Sequence, residues 1–279
     1  MKRKIGLIGL GNIGSFYTGR FLEEGYPLTV LDIDQKRLRA MVDKGAKSAA
    51  TPAELALASD VIVLSLPGSE IVESVMEGRD GVLSVLKEGQ LVIDTSTCRP
   101  GTAVKCQKLC AEKSAGFIDS PLSWRRQGQT LMVGGHEKDF LAAEEILKCV
   151  SYRYMLVGPI GSGQYLKMIN QAILANRLAV YCEAVEMTKK CGMDPRLLAD
   201  HLEFDVPEAL YTGDYGGGGQ LALHYKDMGY LNEIAHDVCA NIPISALVHE
   251  IFKAAKLYGE PDWTQPGIQT YYQRLNSGE

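Results

Sequence analysis

The sequence predicts an α/β domain with a doubly wound, mainly parallel sheet, followed by an all-α domain. Three observations lead to this fold class: five short apolar runs in the first half, helical patterns between them, and few strand signals after residue 160. Strands that are apolar throughout are buried on both faces, which is typical of parallel sheets covered by helices. We therefore expect domains at 1–160 and 161–279.

The apolar runs of the first domain lie near residues 4–8, 28–32, 61–66, 90–94 and 116–119. Because helical patterns separate them, these strands are expected to run parallel, and ligands of such sheets bind beyond the carboxyl ends of the strands. Polar and turn residues follow three of these ends. We expect them to line one cleft: Leu66, Pro67, Asp94, Thr95, Ser96, Thr97, Asp119, Ser120, Pro121, Leu122 and Ser123.

The second domain begins with a long, mostly apolar helical pattern from Ser162 to about Cys191. Gly192 and Pro195 end this helix, because neither residue favours its continuation. The segment 214–219 contains four consecutive glycines, and we interpret it as a connection without regular structure. Further helices are expected at about 195–203, 221–239 and 243–258.

The first strand runs directly into a glycine turn, Gly9-Leu10-Gly11-Asn12-Ile13-Gly14, and then into a helical pattern. In such a turn Gly9 allows the tight bend, Gly11 lets the backbone approach a pyrophosphate, and Gly14 allows close packing of helix and strand. Backbone N–H groups at the helix start, including those of Asn12 and Ile13, hold the anionic phosphates. The alternative is a glycine-rich turn in an unrelated α/β protein, but the context favours a Rossmann domain that binds a dinucleotide.

Asp32 follows the second apolar run, where an acid in such a domain hydrogen-bonds the 2′-hydroxyl of a ribose. A carboxylate repels the 2′-phosphate of NADP, and neither Ile33 nor Asp34 offers a compensating cation. The sequence therefore favours NAD. Lys36 and Arg37 lie close enough to keep NADP open as the less favoured cofactor.

The composition is that of an ordinary globular protein, with 46% hydrophobic and 23% charged residues among 279. A net charge of −5 argues against a nucleic-acid partner. The first apolar run, interrupted by glycines, is interpreted as a strand rather than a signal peptide, and no apolar run is long enough to suggest a membrane partner.

The seven cysteines and five histidines show no metal-binding spacing, so we predict no metal, and reduced thiols indicate the cytoplasm.

Lys167 and Asn170 stand on adjacent turns of the first helix of the second domain, on one side of it. A lysine can act as the general acid and base of a carbonyl and alcohol pair, and Asn170 can orient the lysine or a substrate oxygen. The alternative is a lysine that extends into solvent from near the helix start.

The chain resembles the β-hydroxyacid dehydrogenases over essentially its whole length. The resemblance rests on an ordered set of motifs, whose residues are Gly9, Gly11 and Gly14; Pro67, Val72 and Val75; Asp94-Thr95-Ser96-Thr97 and Pro100; Gly161, Gly163, Lys167 and Asn170; and Lys226-Asp227. Each motif alone is modest evidence, whereas their order and spacing together are specific.

The resemblance implies that Lys167 is the catalytic acid and base and that Asn170 lies beside it in the substrate site. It also implies that Ser96 and Thr97 lie near nicotinamide and substrate, that Lys226 reaches the cofactor, and that Asp227 orients Lys226. Members of the family commonly form dimers or tetramers through the helical domain. A homodimer or homotetramer is therefore expected.

One segment departs from the family pattern. The family usually has two glycines after a serine, and the serine and glycine amides receive the substrate carboxylate. Here Ser123 is followed by Trp124, Arg125 and Arg126, and the segment is shorter. The arginines can bind a carboxylate, sulfonate or phosphate through two hydrogen bonds, or they can simply be solvated.

These residues together predict an oxidoreductase that transfers hydride between NAD and a small, anionic 3-hydroxy acid or semialdehyde. An imine reductase is an alternative, although the resemblance implies Asp or Tyr in place of Lys167 in that branch. A second alternative is a protein that binds NAD(H) without catalysis, for which the altered segment at Ser123, Trp124 and Arg125 is the reason.

Overall fold

The computed structural model describes residues 2–277. The chain divides into two compact units between Lys167 and Met168. The first unit is α/β and the second is helical, which confirms the predicted fold class. The predicted boundary after residue 160 precedes this division, because the helix that starts at Ser162 begins in the first unit and continues in the second.

The strands of the first unit form one sheet in the order β3-β2-β1-β4-β5-β6-β8-β7, with β9 paired to β8. Strands β1 to β6 pair in parallel, whereas β8 runs antiparallel to β6 and β7. Their bounds are β1 Ile5–Ile8, β2 Leu28–Leu31, β3 Lys47–Ser48, β4 Val61–Leu64, β5 Leu91–Asp94, β6 Gly116–Asp119, β7 Leu122–Arg125, β8 Gly128–Gly134 and β9 Arg153–Gly158.

All five predicted strands are present, and β3, β7, β8 and β9 were not predicted. β3 is only two residues long and exposed, so it carries no apolar signal. β7 and β8 form a hairpin from the segment that departs from the family pattern. Its tip, Arg125-Arg126-Gln127-Gly128, lacks the alternation of apolar residues that indicates a strand.

Helices cover both faces of this sheet. Along β4, Val61 and Val63 join one core cluster, and Ile62 and Leu64 join the other. Because successive side chains of a strand point to opposite faces, a continuously apolar strand is needed to fill both clusters. The helices are α1 Asn12–Glu23, α2 Gln35–Val42, α3 Pro52–Leu57, α4 Ser69–Glu77, α5 Pro100–Ala111 and α6 Glu137–Val150, with a short 3₁₀ helix at Val82–Ser84.

The second unit has its own core, built mainly by three helices, α7 (Ser162–Lys190), α10 (Gln220–Asp237) and α11 (Pro243–Tyr258). The predicted helix over 195–203 was wrong in extent: only one turn forms, between Pro195 and the left-handed residue Glu203. The segment 214–219 has no regular structure, as predicted, and the carbonyl of Asp262 accepts the N–H groups of Gly218 and Gly219. The helices are α7 Ser162–Lys190, α8 Leu197–Asp200, α9 Ala209–Thr212, α10 Gln220–Asp237, α11 Pro243–Tyr258 and α12 Gln269–Ser277, with a 3₁₀ helix at Gln265–Ile268.

Candidate functional site

The glycine turn between β1 and α1 leaves no room for side chains at two of its positions. Gly9 has a φ of +96°, and a Cβ there would lie 2.2 Å from the carbonyl oxygen of Ser65. A Cβ on Gly14 would lie 1.9 Å from the carbonyl oxygen of Gly9. Any side chain at either position would therefore displace backbone, so both glycines are required by packing.

Gly11 has a different role, because it precedes the first turn of α1 and has open space beside it. A Cβ on Gly11 would have only the Nη1 atom of Arg37 within 4 Å, at 3.9 Å. The first turn of α1 contains Asn12, Ile13 and Gly14, and the N–H groups at a helix start lack partners within the helix. This open cradle with the positive end of a helix dipole fits the pyrophosphate of a dinucleotide.

Asp32 lies at the carboxyl end of β2 and is held by the backbone. One carboxylate oxygen accepts the N–H of Leu10 at 2.6 Å, and the other accepts the N–H of Asp34 at 2.8 Å. Arg37 approaches Asp34, with 3.4 Å between its Nε and a carboxylate oxygen. The acid and the cation that bear on cofactor choice therefore both lie beside the glycine turn.

The residues after β4 and β5 hold each other in place. The hydroxyl of Ser96 accepts the N–H of Leu66 at 2.9 Å, and the hydroxyl of Thr95 donates to the carbonyl of Leu64 at 2.7 Å. Thr95 and Ser96 are buried, whereas Thr97 is half-buried and Pro67 is exposed. The buried side chains of Thr95 and Ser96 thus join the ends of β4 and β5. Pro67 and Thr97 are the more accessible residues of these two segments.

Asp119, at the end of β6, anchors the start of α7. Its two carboxylate oxygens accept the N–H groups of Gly161 at 2.7 Å and Gln164 at 3.0 Å. Gly163 permits this approach, because a Cβ there would lie 2.2 Å from the carbonyl oxygen of Met132. The spacing Gly161-x-Gly163 therefore fixes the first turn of α7 against the sheet.

Gln164, which the sequence analysis did not single out, ties this turn to the end of β5. Its side chain donates to the carbonyl of Ser96 and accepts the N–H of Cys98, each at 2.9 Å. The side chain is fully buried. The signal that could have identified Gln164 was its polar side chain in the mostly apolar helical pattern that starts at Ser162.

Lys167 is buried rather than solvated, with only 9% of the residue exposed. Its ammonium group donates to the carbonyl of Leu122, the first residue of β7, at 2.7 Å. The interpretation of Lys167 as a solvent-directed lysine was therefore wrong. Anchoring of α7 by Asp119 one turn earlier sets the direction of this side chain.

The hairpin of β7 and β8 carries three of the six predicted substrate residues, Ser123, Trp124 and Arg125, the others being Ser96, Thr97 and Asn170. Ser123 is buried, while Trp124 and Arg125 are exposed. Trp124 packs edge-on against Phe16 of α1, with 5.7 Å between the ring centroids. Arg125 bends back along its own strand, where Nη1 donates to the hydroxyl of Ser123 at 3.0 Å and to the carbonyl of Trp124 at 3.2 Å.

In the second unit, Asn170 and Lys226 are linked through two residues between them. Asn170 donates to the side chain of Gln171 at 3.3 Å, and Gln171 donates to Asp227 at 2.7 Å. The other carboxylate oxygen of Asp227 lies 3.2 Å from the ammonium of Lys226, which also lies over the ring of Tyr230. Gln171 was missed by the sequence analysis, although it directly follows Asn170.

Two buried carboxyl groups of the first unit have raised pKa values. Burial raises the pKa of Asp94 to about 7, and the charge of Asp119 acts in the same direction, against hydrogen bonds from Ser96. Burial also raises the pKa of Asp119 to about 6, although the N–H groups of Gly161 and Gln164 lower it.

Residues 2–277 contain no group of three or more His, Cys, Asp or Glu side chains placed to hold a metal ion. Over the same range, no helix has the length and apolar character that a membrane crossing requires.

Two family models match consecutive parts of the chain. Residues 4–158 match the NAD binding domain of 6-phosphogluconate dehydrogenase. Residues 161–271 match the family described as NAD-binding of NADP-dependent 3-hydroxyisobutyrate dehydrogenase. Together the two matches span most of both structural units.

Curated relatives share about a third of their residues with this chain. A 2-(hydroxymethyl)glutarate dehydrogenase of Eubacterium barkeri is 31% identical over 271 residues, which cover 92% of this chain and 90% of the relative. The mitochondrial 3-hydroxyisobutyrate dehydrogenase of Mus musculus is 31% identical over 286 residues, which cover 94% and 85%.

Solved structures share the fold at lower identity. The 3-hydroxyisobutyrate dehydrogenase of Mycobacterium tuberculosis with L-serine has a TM-score of 0.86 at 22% identity and covers 98% of this chain and 99% of its own. An imine reductase of Bacillus cereus has a TM-score of 0.61 at 20% identity, with 97% and 99% covered. The dehydrogenase therefore has the more similar fold of the two.

The raised pKa of Asp119 predicts a pH-dependent effect of Asp119→Asn. The folded value of about 6 lies above the value of about 3.9 in an unfolded chain. Stability from Asp119 is therefore fully present below about pH 4 and is lost as the pH rises through 6. We expect the advantage of the wild type in free energy of unfolding to shrink by about 3 kcal/mol between pH 4 and pH 8.

Urea denaturation at several pH values measures this difference. A wild-type advantage that stays constant from pH 4 to pH 8 would contradict the assignment of a raised pKa to Asp119.

Proposed function

This chain belongs to the β-hydroxyacid dehydrogenase family, and we propose that it transfers hydride between NAD and a small, anionic 3-hydroxy acid or semialdehyde. Membership makes it an NAD(P)-dependent dehydrogenase that acts on a CH–OH group. The choice of NAD, the substrate class and the residue roles below are proposals. The buried ammonium group of Lys167, held at the carbonyl of Leu122, is the observation that supports the proposed hydride transfer.

We assign the proton transfer to Lys167. The bond to the carbonyl of Leu122 fixes the direction of the side chain, and burial keeps bulk water from competing for the proton. In the oxidation, the neutral amine takes the hydroxyl proton of the substrate while the carbinol carbon loses its hydride. In the reduction, the ammonium returns a proton to the carbonyl oxygen. Nicotinamide, when bound, accepts or supplies the hydride.

Around this lysine, the other predicted residues take supporting roles. We propose that Asn170, one helical turn beyond Lys167, orients the substrate oxygen, and that Ser96, Thr97, Ser123, Trp124 and Arg125 line the substrate site. The cofactor contacts are assigned to Gly9, Gly11, Asn12, Ile13, Gly14, Asp32, Leu66, Pro67, Thr95, Ser96 and Lys226. Support comes from the cradle at Gly11 and from Asp227, whose carboxylate fixes the Lys226 ammonium.

NAD is the proposed cofactor because Asp32 presents its carboxylate at the end of β2, where the adenosine ribose binds in a Rossmann domain. Its bonds from Leu10 and Asp34 hold the carboxylate in place. The positive charge of Arg37 favours NADP instead, but Asp34 pairs with Arg37 and offsets that charge.

A homodimer or homotetramer is proposed, together with a cytoplasmic location. α7 exposes an apolar stripe in the second unit, formed by Ile169, Ile173, Val180 and Met187, each at least 54% exposed. Surfaces of this kind are typical of protein interfaces.

All seven cysteines are free thiols, which supports a reducing compartment. Light scattering in solution and cell fractionation test these two proposals.

Lys167→Ala should lower kcat by about 10²- to 10⁴-fold, which is the usual contribution of a general acid and base. NADH binding should change little, because the assigned cofactor contacts remain. Steady-state kinetics with a panel of hydroxy acids, semialdehydes and cyclic imines, combined with fluorescence titration of NADH, measures both. Turnover close to wild type would refute the role of Lys167.

The same panel separates the alternatives. Activity on cyclic imines alone would favour an imine reductase, and tight NADH binding without any turnover by the wild type would favour a protein that binds NAD(H) without catalysis.

Asp32→Asn should shift the preference toward NADP. The substitution removes the charge that repels a 2′-phosphate but retains a carbonyl oxygen for the N–H of Leu10. The ratio of kcat/KM for NAD to that for NADP should fall by about 10- to 100-fold, the effect of one charged hydrogen bond. Asp43→Asn, the same change at an exposed residue after α2, is the control and should leave the ratio unchanged. A wild type that prefers NADP would overturn the assignment.

A further inference from the structure

β7 is the last strand in the order of the sheet and pairs with β8 along one edge. It joins β8 through a two-residue turn, with Arg125 opposite Gly128 and Ser123 opposite Thr130. In a two-residue hairpin the residues that flank the turn exchange both backbone hydrogen bonds. Farther along the two strands, hydrogen-bonded pairs alternate with pairs that are not hydrogen-bonded. The N–H groups of Ser123 and Arg125 therefore point toward β8, and the backbone groups of Leu122 and Trp124 point to the opposite edge.

Two cationic side chains lie along that opposite edge. The Lys167 ammonium donates to the carbonyl of Leu122 at 2.7 Å, and the Arg125 guanidinium donates to the carbonyl of Trp124 at 3.2 Å. The hydroxyl of Ser123 holds the guanidinium from a second direction, at 3.0 Å. Carbonyl groups two residues apart on a strand are separated by about 7 Å. The strand thus holds an ammonium and a guanidinium group at two carbonyl groups about 7 Å apart.

The residues that follow Ser123 determine which groups of the hairpin can bind a substrate carboxylate. In the family pattern, two glycines after the serine supply backbone amides for the substrate carboxylate. Here Trp124 and Arg125 occupy those positions, and the N–H of Arg125 is directed to β8. Of the two amides, only the N–H of Trp124 still points to the open edge, and it offers a single donor. The Arg125 guanidinium offers two parallel N–H groups that match the two oxygens of a carboxylate.

We propose that Arg125 binds the carboxylate of the substrate while Lys167 contacts the oxygen on its reacting carbon. This inference rests on the proposed function and narrows its substrate class. Hydrogen bonds from each cation to an oxygen are about 2.8 Å long, so two oxygens a few Å from each other can bridge cations that are held at carbonyl groups about 7 Å apart. Short hydroxy acids and semialdehydes have this separation, and Arg125 makes the enzyme select them over uncharged analogues.

The test compares 3-hydroxypropanoate with its uncharged amide, 3-hydroxypropanamide. In Arg125→Ala, kcat/KM for the acid should fall by about 10- to 150-fold, mainly through KM, as expected for loss of a charged hydrogen bond. The value for the amide should change by less than about threefold, since no charge is bound there. Arg125→Lys should give an intermediate loss, because it retains the charge without the planar pair of donors.

Arg126→Ala is the matched control, since it removes the same charge from the next residue, in the turn of the hairpin. Its preference for the acid over the amide should equal that of the wild type. Equal losses in Arg125→Ala and Arg126→Ala, or an unchanged preference in Arg125→Ala, would overturn the proposal.

Calorimetric titration of 3-hydroxypropanoate into the enzyme saturated with NADH separates this inference from the proposed function, because no turnover is needed. Weaker binding in Arg125→Ala than in Arg126→Ala supports the inference even if the wild type shows no activity, which would refute only the proposed function. Equal binding by the two variants, or no binding by the wild type, refutes the inference whatever the activity.

Discussion

The carboxylate of Asp119 is the constraint on which the position of α7, and with it that of Lys167, depends. It accepts two backbone N–H groups from the start of α7 and so fixes that helix to the end of β6. Gly163 is required because any side chain there would separate the helix from the carbonyl of Met132. With this turn fixed, Gln164 holds the segment after β5, and Lys167 reaches the carbonyl of Leu122. Burial of the Asp119 carboxyl is the energetic cost of this arrangement. The same burial raises the pKa of Asp119 to about 6.

The first unit uses different chemistry on its two sides. On the proposed cofactor side, the phosphates are assigned to backbone, because the cradle at Gly11 and the first turn of α1 suit an anion without a charged side chain. On the hairpin side, the proposed recognition of a carboxylate depends on the Arg125 side chain, because the N–H groups of Ser123 and Arg125 pair with β8.

The sequence predicted the parallel sheet, the glycine turn and the long helix, because each has a local signal. Continuous apolar runs mark strands such as β4, and Gly9 and Gly14 mark a backbone that excludes side chains. The hairpin was not predicted, since pairing between β7 and β8 is fixed by contacts rather than by apolar alternation. Gln164 and Gln171 were missed for a related reason: nothing in their own neighbourhood reveals which distant groups they bond. Whether Lys167 was buried depended on Asp119, 48 residues earlier in the chain.

The central claim is that the amine of Lys167 exchanges a proton with the substrate oxygen. Chemical rescue of Lys167→Ala tests this most directly, because the truncated side chain leaves a buried space beside the carbonyl of Leu122 in which a small primary amine can bind. Turnover in the presence of added alkylamines is predicted to rise with amine concentration and to vary with amine basicity at equal size. Turnover that does not respond to any amine, or that responds equally to alkylamines and to alcohols of the same size, would contradict the claim.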